Sequence, residues 1–394
     1  MKNKKLKGLV LAVIISATLL QGCQSIVRTI VVKNTASTLP IVSEPAIIES
    51  TSLQNEDTTV TFLATGDNII HEAVYKDALN VLGEYNFEPM YEKIAPVIHN
   101  ADFAFINQEG LLGGTSLGLA GYPLFNAPQE AGVALVNTGF NLISQSNNHA
   151  MDFGFKGIVN TCTFWKQQSG AVMAGISSSA IESENIPVLT KKGVKIALIA
   201  YTWSLNDIKY PAGKEWCVDT DFNNVLIKIQ RARLLADVVL VSVHWGDEYS
   251  IVVNEKQKSQ AQKLADAGAD IIIGNHPHVI ENISWINAAD GRKAICAYAM
   301  GNLLSSQSFF ENVIGGMLEL TIIKSNSKIT LQGARFVPIV THYEKGYKAF
   351  KVYLLSDYSV ALAANHGIAD TADLSPSKIK SYVKSIISPE FYAE

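Results

Sequence analysis

The chain has 394 residues, of which 48% are hydrophobic and 17% are charged, against a charged fraction of roughly 25% in typical soluble domains. This composition excludes a disordered chain and supplies enough apolar surface for a large core. The formal net charge is −4, and loss of the four lysines within the first seven residues would leave 28 basic against 36 acidic residues, or −8. The charge balance excludes a nucleic-acid-binding protein and favours a divalent metal or a cationic partner.

The N-terminal 22 residues have the pattern of a secretory signal peptide. Lysines precede an apolar stretch, Gly8 to Leu20, which is too short to span a bilayer comfortably. The tetrad Leu20-Gln21-Gly22-Cys23 resembles a bacterial lipoprotein signal, in which the cysteine is lipidated and becomes the new N-terminus. The alternative is an uncleaved anchor helix. Both interpretations predict an extracytoplasmic protein, and lipidation of Cys23 would anchor it to the bacterial cell membrane through residues 23–57, a predicted flexible tether.

From Thr58 onwards, short apolar runs alternate with stretches of helical period, which is typical of an α/β domain. The predicted strands are Val60–Thr65, Phe103–Asn107, Leu142–Ser146, Lys195–Tyr201, Val238–Val243, Ile271–Gly274 and Lys293–Ala299. The predicted helices are Ile94–His99, Gln129–Asn137, Gly154–Gln168 and Glu255–Ala267.

After about residue 320 the pattern changes to alternation. It predicts antiparallel strands at Lys328–Val337 and Tyr347–Leu355, which would finish a second sheet, and a short helix near Ser375–Ile387. The segment 326–394 has too few apolar residues to close a core of its own. We therefore predict that it completes the domain formed by residues 58–325.

Three cysteines remain beyond the N-terminal region: Cys162, Cys217 and Cys296. Their spacing does not match a metal knuckle, and a domain of this size does not need disulfides to fold. We predict that they are buried as small hydrophobic residues, with one disulfide bridge as the alternative.

The residues that can carry chemistry come directly after predicted strands. These segments are Gly66-Asp67-Asn68 with His71 nearby, Gln108-Glu109-Gly110, Asn147-Asn148-His149 followed by Asp152, His244-Trp245-Gly246-Asp247-Glu248, Asn275-His276-Pro277-His278, and Met300-Gly301-Asn302. Because the carboxyl ends of strands in α/β sheets face a common crevice, these segments are expected to meet. Imidazole, carboxylate and amide groups together are ligands for divalent Zn, Mn or Fe, and they are numerous enough here for two adjacent ions.

Each of these segments also has a structural explanation when it is taken alone. Gly-Asp after a strand is often a turn, Glu109 suits a capping or solvated acid, and His244 suits a core histidine. The pair His276 and His278 is stronger, because alternate residues of an extended segment point the same way and the proline stiffens the backbone. The coincidence of so many such segments at successive strand ends favours a metal site.

The order of these motifs resembles that of the CapA family, the capsule-synthesis or poly-γ-glutamate biosynthesis group of metallophosphatase-like proteins. The resemblance covers roughly residues 58 to 320 and is carried by Gly-Asp (66–67), Asn-Gln-Glu (107–109), Asn-Asn-His-Ala-Met-Asp-Phe-Gly (147–154), His-Trp-Gly-Asp-Glu-Tyr (244–249), Gly-Asn-His-Pro-His-Val (274–279) and Met-Gly-Asn (300–302). It implies an α/β fold of the calcineurin-like phosphoesterase type, a four-layer αββα sandwich of two mixed sheets flanked by helices.

The resemblance also implies a role for each matching residue. The first ion would be bound by Asp67 and His278. The second ion would be bound by Asn148, His244 and His276, and Glu109 would approach both ions. His149 resembles the histidine that protonates the leaving oxygen, with Asp152 orienting it. The pocket would be lined by Trp245, Glu248 and Asn302.

The chain departs from the phosphoesterase pattern at three positions. Asp67 is followed by Asn68 and Ile69 where Asp-x-His is usual, so that His71 is either a substitute ligand or a surface residue. Glu109 replaces the usual bridging aspartate, and Asn275 stands where many family members have histidine. These differences leave open whether the site holds two ions, one or none.

Three functions are compatible with these observations. The first is an extracytoplasmic metal-dependent hydrolase acting on a phosphoester or a related bond. The second is a non-catalytic accessory that handles a surface polymer such as poly-γ-glutamate together with other capsule-assembly proteins. The third is a solute-binding lipoprotein, which predicts two similar lobes and no metal.

Overall fold

The computed structural model describes residues 57–326 and 328–392. The predicted signal peptide, Cys23 and the tether up to residue 56 lie outside the described residues. Within the described part of the chain, no helix is both long and apolar enough to cross a membrane.

The described chain alternates strands with helices up to residue 275 and is mainly strand from there to residue 354. The strands are β1 (Thr58–Ile69), β2 (Phe103–Glu109), β3 (Leu142–Ser144), β4 (Val172–Ala174), β5 (Val188–Lys191), β6 (Val194–Thr202), β7 (Val238–His244), β8 (Ile271–Asn275), β9 (Ile283–Asn287), β10 (Lys293–Ala297), β11 (Asn302–Leu304), β12 (Ile314–Ser325), β13 (Lys328–Glu344) and β14 (Lys348–Leu354). The helices are α1 (Glu72–Ala78), α2 (Glu88–Tyr91), α3 (Ala95–His99), α4 (Glu130–Thr138), α5 (Gly154–Lys166), α6 (Ala180–Ser183), α7 (Phe222–Ala232), α8 (Glu255–Ala267), α9 (Val360–Asn365) and α10 (Pro376–Ile386).

These strands form two mixed sheets. The eight-stranded sheet has the order β14-β13-β12-β1-β2-β3-β4, with β11 also paired to β1. The six-stranded sheet has the order β5-β6-β7-β8-β10-β9. Strands β1 to β4 run parallel to one another, as do β6, β7, β8 and β10, whereas β12, β13 and β14 pair antiparallel.

The residues of β6 show why the second sheet is buried on both faces. In β6, Ile196 and Leu198 belong to the large core shared with the first sheet, whereas Ala197 and Ile199 pack into a second core with α7 and α8. Because successive side chains of a strand point to opposite faces, such a continuous apolar run requires a packed layer on each side. The predicted α/β fold of two mixed sheets flanked by helices is confirmed.

Each predicted strand and helix up to residue 299 has a counterpart whose ends differ by a few residues at most. The prediction that the C-terminal strands finish a second sheet is wrong. Strands β13 and β14 continue the sheet that contains β1, because β12 pairs with β1 over eight residue pairs and then carries β13 at its other edge. Periodicity identified β13 and β14 as strands, but partner choice depends on contacts distant in sequence.

All three cysteines within the described residues, Cys162, Cys217 and Cys296, are buried and free of disulfide bonds. Burial raises the pKa of the Cys162 thiol to about 12 and that of Cys217 to about 11. The prediction of buried small hydrophobic residues is confirmed for these positions.

A close contact between Gly66 and Gly301 shapes the end of β1. A Cβ atom on Gly66 would lie 1.9 Å from the carbonyl oxygen of Gly301, which excludes any side chain there. The backbone N–H of the next residue, Asp67, donates to that same oxygen over 3.0 Å. The two glycines therefore bring the Gly-Asp and Met-Gly-Asn motifs into direct contact.

Candidate metal centre

The polar segments meet where strand ends of the two sheets face one another. Asp67 lies opposite Asn107 in the β1–β2 pair, and His244 lies opposite Asn275 in the β7–β8 pair. Segment 145–149 follows β3 directly. Because parallel strands end at the same edge, side chains that are far apart in sequence converge there.

A first cluster contains the carboxylates of Asp67 and Glu109 and the ring of His278. One ligand atom from each of these buried residues lies within 4.8 Å of the others, and this is the one such trio of His, Cys, Asp or Glu found among residues 57–326 and 328–392. His278 Nδ1 is 3.6 Å from Asp67 Oδ2, and its Nε2 is 3.8 Å from Glu109 Oε1. The remaining Asp67 contacts hold the carboxylate still, since its Oδ1 accepts from Asn107 Nδ2 at 2.7 Å and its Oδ2 from the His276 backbone at 3.0 Å.

A second cluster contains Asn148, His244 and His276. His244 Nε2 lies 2.9 Å from Asn148 Oδ1 and 3.2 Å from His276 Nδ1. Separations of about 3 Å are those expected between donors that share one metal, since metal–ligand bonds of roughly 2 Å meet at wide angles. The six residues thus fall into the same two groups that the family resemblance assigned to two ions.

The backbone around the His-Pro-His segment differs from the expectation. His276 has φ 101° and His278 has φ 58°, so neither residue is extended, and strand-like alternation does not explain why both rings reach the site. The rings lie with their centroids 6.1 Å apart because two left-handed residues turn the chain around Pro277. Such conformations are uncommon for non-glycine residues and are concentrated at functional sites.

Burial and neighbouring charges shift the pKa values of this site strongly. Burial lowers the pKa of His276 to about 4 and that of His244 well below its usual value, and the nearby histidines lower both further. Burial raises the pKa of Glu109 well above its usual value. Burial also opposes the charged form of His278, but Glu109 and Asp67 overcome this effect and raise its pKa to about 9. His244 and His276 are therefore held neutral, the state in which an imidazole binds a metal, whereas the carboxylates of the first cluster favour a proton on His278 that a bound cation would displace.

His149 is oriented by two neighbours. Its Nδ1 lies 2.7 Å from Asp152 Oδ2, which also accepts the Phe125 backbone N–H at 2.6 Å, and its Nε2 lies 3.9 Å from Glu109 Oε1. The ring of Phe125 stands edge-on to His149 at 4.6 Å and to His71 at 5.1 Å. The pair His149 and Asp152 therefore has the geometry that the resemblance implied, with Nε2 directed at the first cluster.

Two of the predicted residues contact the site indirectly. Asn302 Oδ1 lies 3.1 Å from His278 Nδ1, while its Nδ2 is held by Ser305, Gln307 and the Asn312 carbonyl, so that Asn302 positions His278. His71 is partly exposed, its ring packs edge-on against Phe125 at 5.1 Å, and its Nδ1 accepts the Ser306 backbone N–H at 3.3 Å. Its partly buried surroundings lower its pKa to about 4. His71 therefore lies beside the first cluster without being one of the three residues that form it.

The remaining pocket-lining predictions have different outcomes. Trp245 does not line the pocket: its side chain is 1% exposed, packs in the core beneath α8 and donates to the Tyr298 carbonyl at 2.9 Å. The reason is strand alternation, which turns Trp245 to the face opposite His244. Glu248 is exposed and lines an open pocket next to His276.

Sequence reasoning assigned no role to Asn107, Phe125 or Asn147. Asn107 binds Asp67, and Asn147 Oδ1 accepts the backbone N–H groups of Gly110 and His149 at 3.3 and 3.2 Å. Both asparagines lie inside the motifs quoted above, next to predicted metal-binding residues, and this position could have indicated their role. Phe125 lies outside every motif and has no such signal.

The residues present fit divalent metal ions. Glu109 Oε2 is buried and has no hydrogen-bond partner among the described residues, and Asn107 Oδ1 and Asp152 Oδ1 share that property. An unpaired buried carboxylate oxygen costs free energy that a bound cation would recover. Mixed oxygen and imidazole donors suit Mn, Fe or Zn.

Comparison with known proteins gives the same family as the motifs. Residues 61–307 match the family model described as "Bacterial capsule synthesis protein PGA_cap". This chain belongs to the PGA_cap family. The matched range begins in β1 and ends just after β11, so it contains every residue of both clusters.

Two similar proteins are named CapA. The PGA biosynthesis protein CapA of Bacillus subtilis (strain 168) is 34% identical over 184 residues, which is 46% of this chain and 47% of that protein. The capsule biosynthesis protein CapA of Bacillus anthracis is 27% identical over 270 residues, which is 65% of this chain and 62% of that protein. The chain therefore matches between about half and three-fifths of the length of these relatives.

Among solved structures, a hypothetical protein from Thermus thermophilus is similar, with a TM-score of 0.41 and 14% identity. The match covers 71% of this chain and 99% of that protein.

Proposed function

We propose that this protein is an extracytoplasmic lipoprotein that acts in the biosynthesis or export of a capsular polymer of the poly-γ-glutamate type and carries a dinuclear metal-dependent hydrolase site of the phosphoesterase type. Its anchor would be a lipid on Cys23, its metals Mn, Fe or Zn, and its partners the membrane and other capsule-assembly proteins. Membership of the PGA_cap family and similarity to two CapA proteins support the role in capsule synthesis.

The observation that carries the hydrolase proposal is the arrangement of two donor clusters beside an oriented histidine. Asp67, Glu109 and His278 form one cluster, and Asn148, His244 and His276 form the other. A site for a neutral solute would not explain the buried Glu109 carboxylate, whose Oε2 has no partner among the described residues and is costly without a cation.

Two bound divalent ions would activate a water molecule and stabilise the charge on a phosphoryl oxygen. The other contributions come from the side chains of this protein. Asp67 is held by Asn107 and by the His276 backbone, and His278 by Asn302, so the donors are fixed before any ligand arrives.

His149 would hold the proton that the leaving oxygen needs. Asp152 accepts at Nδ1, which leaves Nε2 to carry or release a proton on the side of Glu109. Because the Phe125 N–H binds the same carboxylate oxygen, Asp152 has little freedom to turn away. The pair therefore keeps the ring in one orientation, as a general acid requires.

The direct test is to purify the full chain without chelator and measure bound metals by elemental analysis, followed by turnover of p-nitrophenyl phosphate and bis(p-nitrophenyl) phosphate with Mn, Fe or Zn. About two equivalents of metal and turnover that chelation abolishes would support the proposal. A protein that binds no metal after reconstitution, and turns over neither ester, would contradict it and favour a non-catalytic accessory role.

The anchoring and the capsule role need cellular tests. Cys23→Ala should remove the lipid anchor, so that the protein is found in the soluble fraction or keeps its uncleaved signal peptide. Deletion of the gene should lower the amount of surface polymer. Unchanged surface polymer in the deletion strain would contradict the role in capsule synthesis without affecting the hydrolase proposal.

A further inference from the structure

An open pocket of about 370 Å³ lies next to the second donor cluster. It is lined by Trp203, Ser204, Asn206, Asp207, Gly246, Asp247, Glu248 and His276. Three of these residues are acidic and none is lysine or arginine. A polyanion entering this pocket would meet carboxylates of its own sign, which disfavours its binding there.

His276 opens this pocket towards the cluster. The residue is 5% exposed and its Nδ1 faces His244, whereas its Nε2 has no hydrogen-bond partner among the described residues. A ligand in the pocket can therefore contact a buried polar side chain of the site itself.

Two exposed aromatic rings flank the pocket and the first cluster. Trp203 is 42% exposed with its ring 6.0 Å from that of His276, and Tyr249 is 52% exposed with its ring 6.1 Å from that of His278. The Lys256 ammonium lies over the Trp203 ring, 4.8 Å from its centroid. Large aromatic side chains left in water next to a functional site are characteristic of ligand contact.

The backbone holds both rings in place relative to the histidines. The Trp203 N–H donates to the His244 carbonyl at 3.2 Å, and the Tyr249 N–H donates to the Pro277 carbonyl at 2.8 Å. Asn206, with φ 52°, accepts from Asn148 at 3.2 Å, which ties the Trp203 loop to the second cluster. A rim fixed in this way is preorganised for a ligand.

A neutral, hydroxyl-rich ring matches all of these features. Its C–H face can lie against an indole or phenol ring, and its hydroxyl groups can donate to Asp207, Asp247 and Glu248. We propose that this rim binds a saccharide portion of the substrate, so that the phosphoester cleaved at the metal centre is attached to a sugar and is not part of a polyglutamate chain. The proposal rests on the proposed hydrolase function for the position of the phosphoester, but the saccharide site itself does not depend on it.

The test is isothermal titration of the full chain with chitohexaose, maltohexaose and poly-γ-glutamate, with and without bound metal. Trp203→Ala and Tyr249→Ala are the test variants. Tyr347→Ala is the matched control, since Tyr347 is a similarly exposed aromatic residue in the turn between β13 and β14. We expect one of the neutral oligosaccharides to bind, each test variant to weaken it at least about tenfold, and Tyr347→Ala to leave it unchanged.

Three results would overturn the saccharide site: no binding of either oligosaccharide at millimolar concentration, binding that all three variants retain, or salt-sensitive binding of poly-γ-glutamate that Trp203→Ala abolishes. Turnover of p-nitrophenyl phosphate without oligosaccharide binding would refute the proposed saccharide site but not the proposed hydrolase function. If the protein takes up no metal but binds an oligosaccharide, and Trp203→Ala abolishes that binding, the proposed hydrolase function is refuted and the proposed saccharide site is supported.

Discussion

Two pairs of buried histidines in this molecule have opposite surroundings. His276 and His278 lie among carboxylates and amides at the strand ends, whereas His342 and His366 lie among tyrosines near the C-terminus. Burial lowers the pKa of His342 to about 4, as it does for His276, so a depressed histidine pKa does not by itself mark the candidate site.

Hydrogen bonding does distinguish them. His366 Nε2 lies 3.0 Å from the Thr341 carbonyl, and its Nδ1 accepts the Ile368 N–H at 3.2 Å; His342 Nδ1 lies 3.0 Å from the Tyr358 hydroxyl. At the strand ends, by contrast, Glu109 keeps a buried oxygen without a partner among the described residues. The candidate metal site thus differs from the C-terminal pair by a buried carboxylate oxygen without a partner, and burial of the rings alone reflects packing.

The largest expected difference between the two pairs is in metal content. The double variant His276→Ala/His278→Ala removes a donor from each cluster and should lose bound metal, with turnover falling by at least about 10³. The double variant His342→Gln/His366→Gln should keep the metal. Elemental analysis and ester turnover of both double variants test this prediction. Equal metal content in the two variants would show that the strand-end histidines are no more important for metal binding than the C-terminal pair.

A smaller effect on turnover is expected at His149, which belongs to neither cluster. His149→Ala removes the proton donor and should lower turnover by a factor of about 10²–10⁴. Asp152→Asn weakens the contact that orients His149 and should lower turnover by a factor of about 10–100. The metal content of both variants should be unchanged. His99→Ala, at an exposed position in α3, is the control. If His149→Ala retained full turnover of an ester with a poor leaving group, its role as an acid would be refuted.

Glu281 also has a buried carboxylate oxygen, Oε1, without a partner among the described residues, although it belongs to neither cluster. Its Oε2 accepts from Gln257 at 2.7 Å. Burial raises its pKa to about 7, Gln257 opposes this effect and Asp247 adds to it. The folded state then binds the proton more tightly than the unfolded chain, so stability is lost as pH rises from about 4.5 to 7, by about 3 kcal/mol for this group.

The measurement is urea unfolding of the wild type and of Glu281→Gln at pH 5 and pH 8. The variant should lose less stability between the two pH values than the wild type. An identical pH dependence in both proteins would show that Glu281 does not titrate in this range.

The smallest effect is expected at the C-terminal pair. His366→Ala removes the partner of the Thr341 carbonyl and should lower the free energy of unfolding by about 1–3 kcal/mol. Metal content and turnover of the folded protein should not change. A loss of metal in this variant would mean that the C-terminal pair is coupled to the site.

Much of the site could be predicted from the sequence, because strand ends and ligand chemistry are local properties. Asp67, Glu109 and His244 each follow an apolar run that the period-two and buried-strand patterns identify. The residue types favoured a divalent metal site before any contact was known, but left open whether it holds two ions, one or none. The side chain of Trp245 was misplaced because it directly follows His244, the last residue of β7, and only the packing against α8 shows which face is the core.

The sequence by itself determined the order of strands and helices, the polar residues that end the strands, and the family to which they belong. Tertiary structure alone decided that β13 and β14 extend the first sheet and that His276 and His278 converge through left-handed backbone. The physical reason is range: periodicity and residue chemistry act over a few residues, whereas pairing partners and backbone strain are set by contacts between segments up to 209 residues apart, such as that of Asp67 with the His276 backbone.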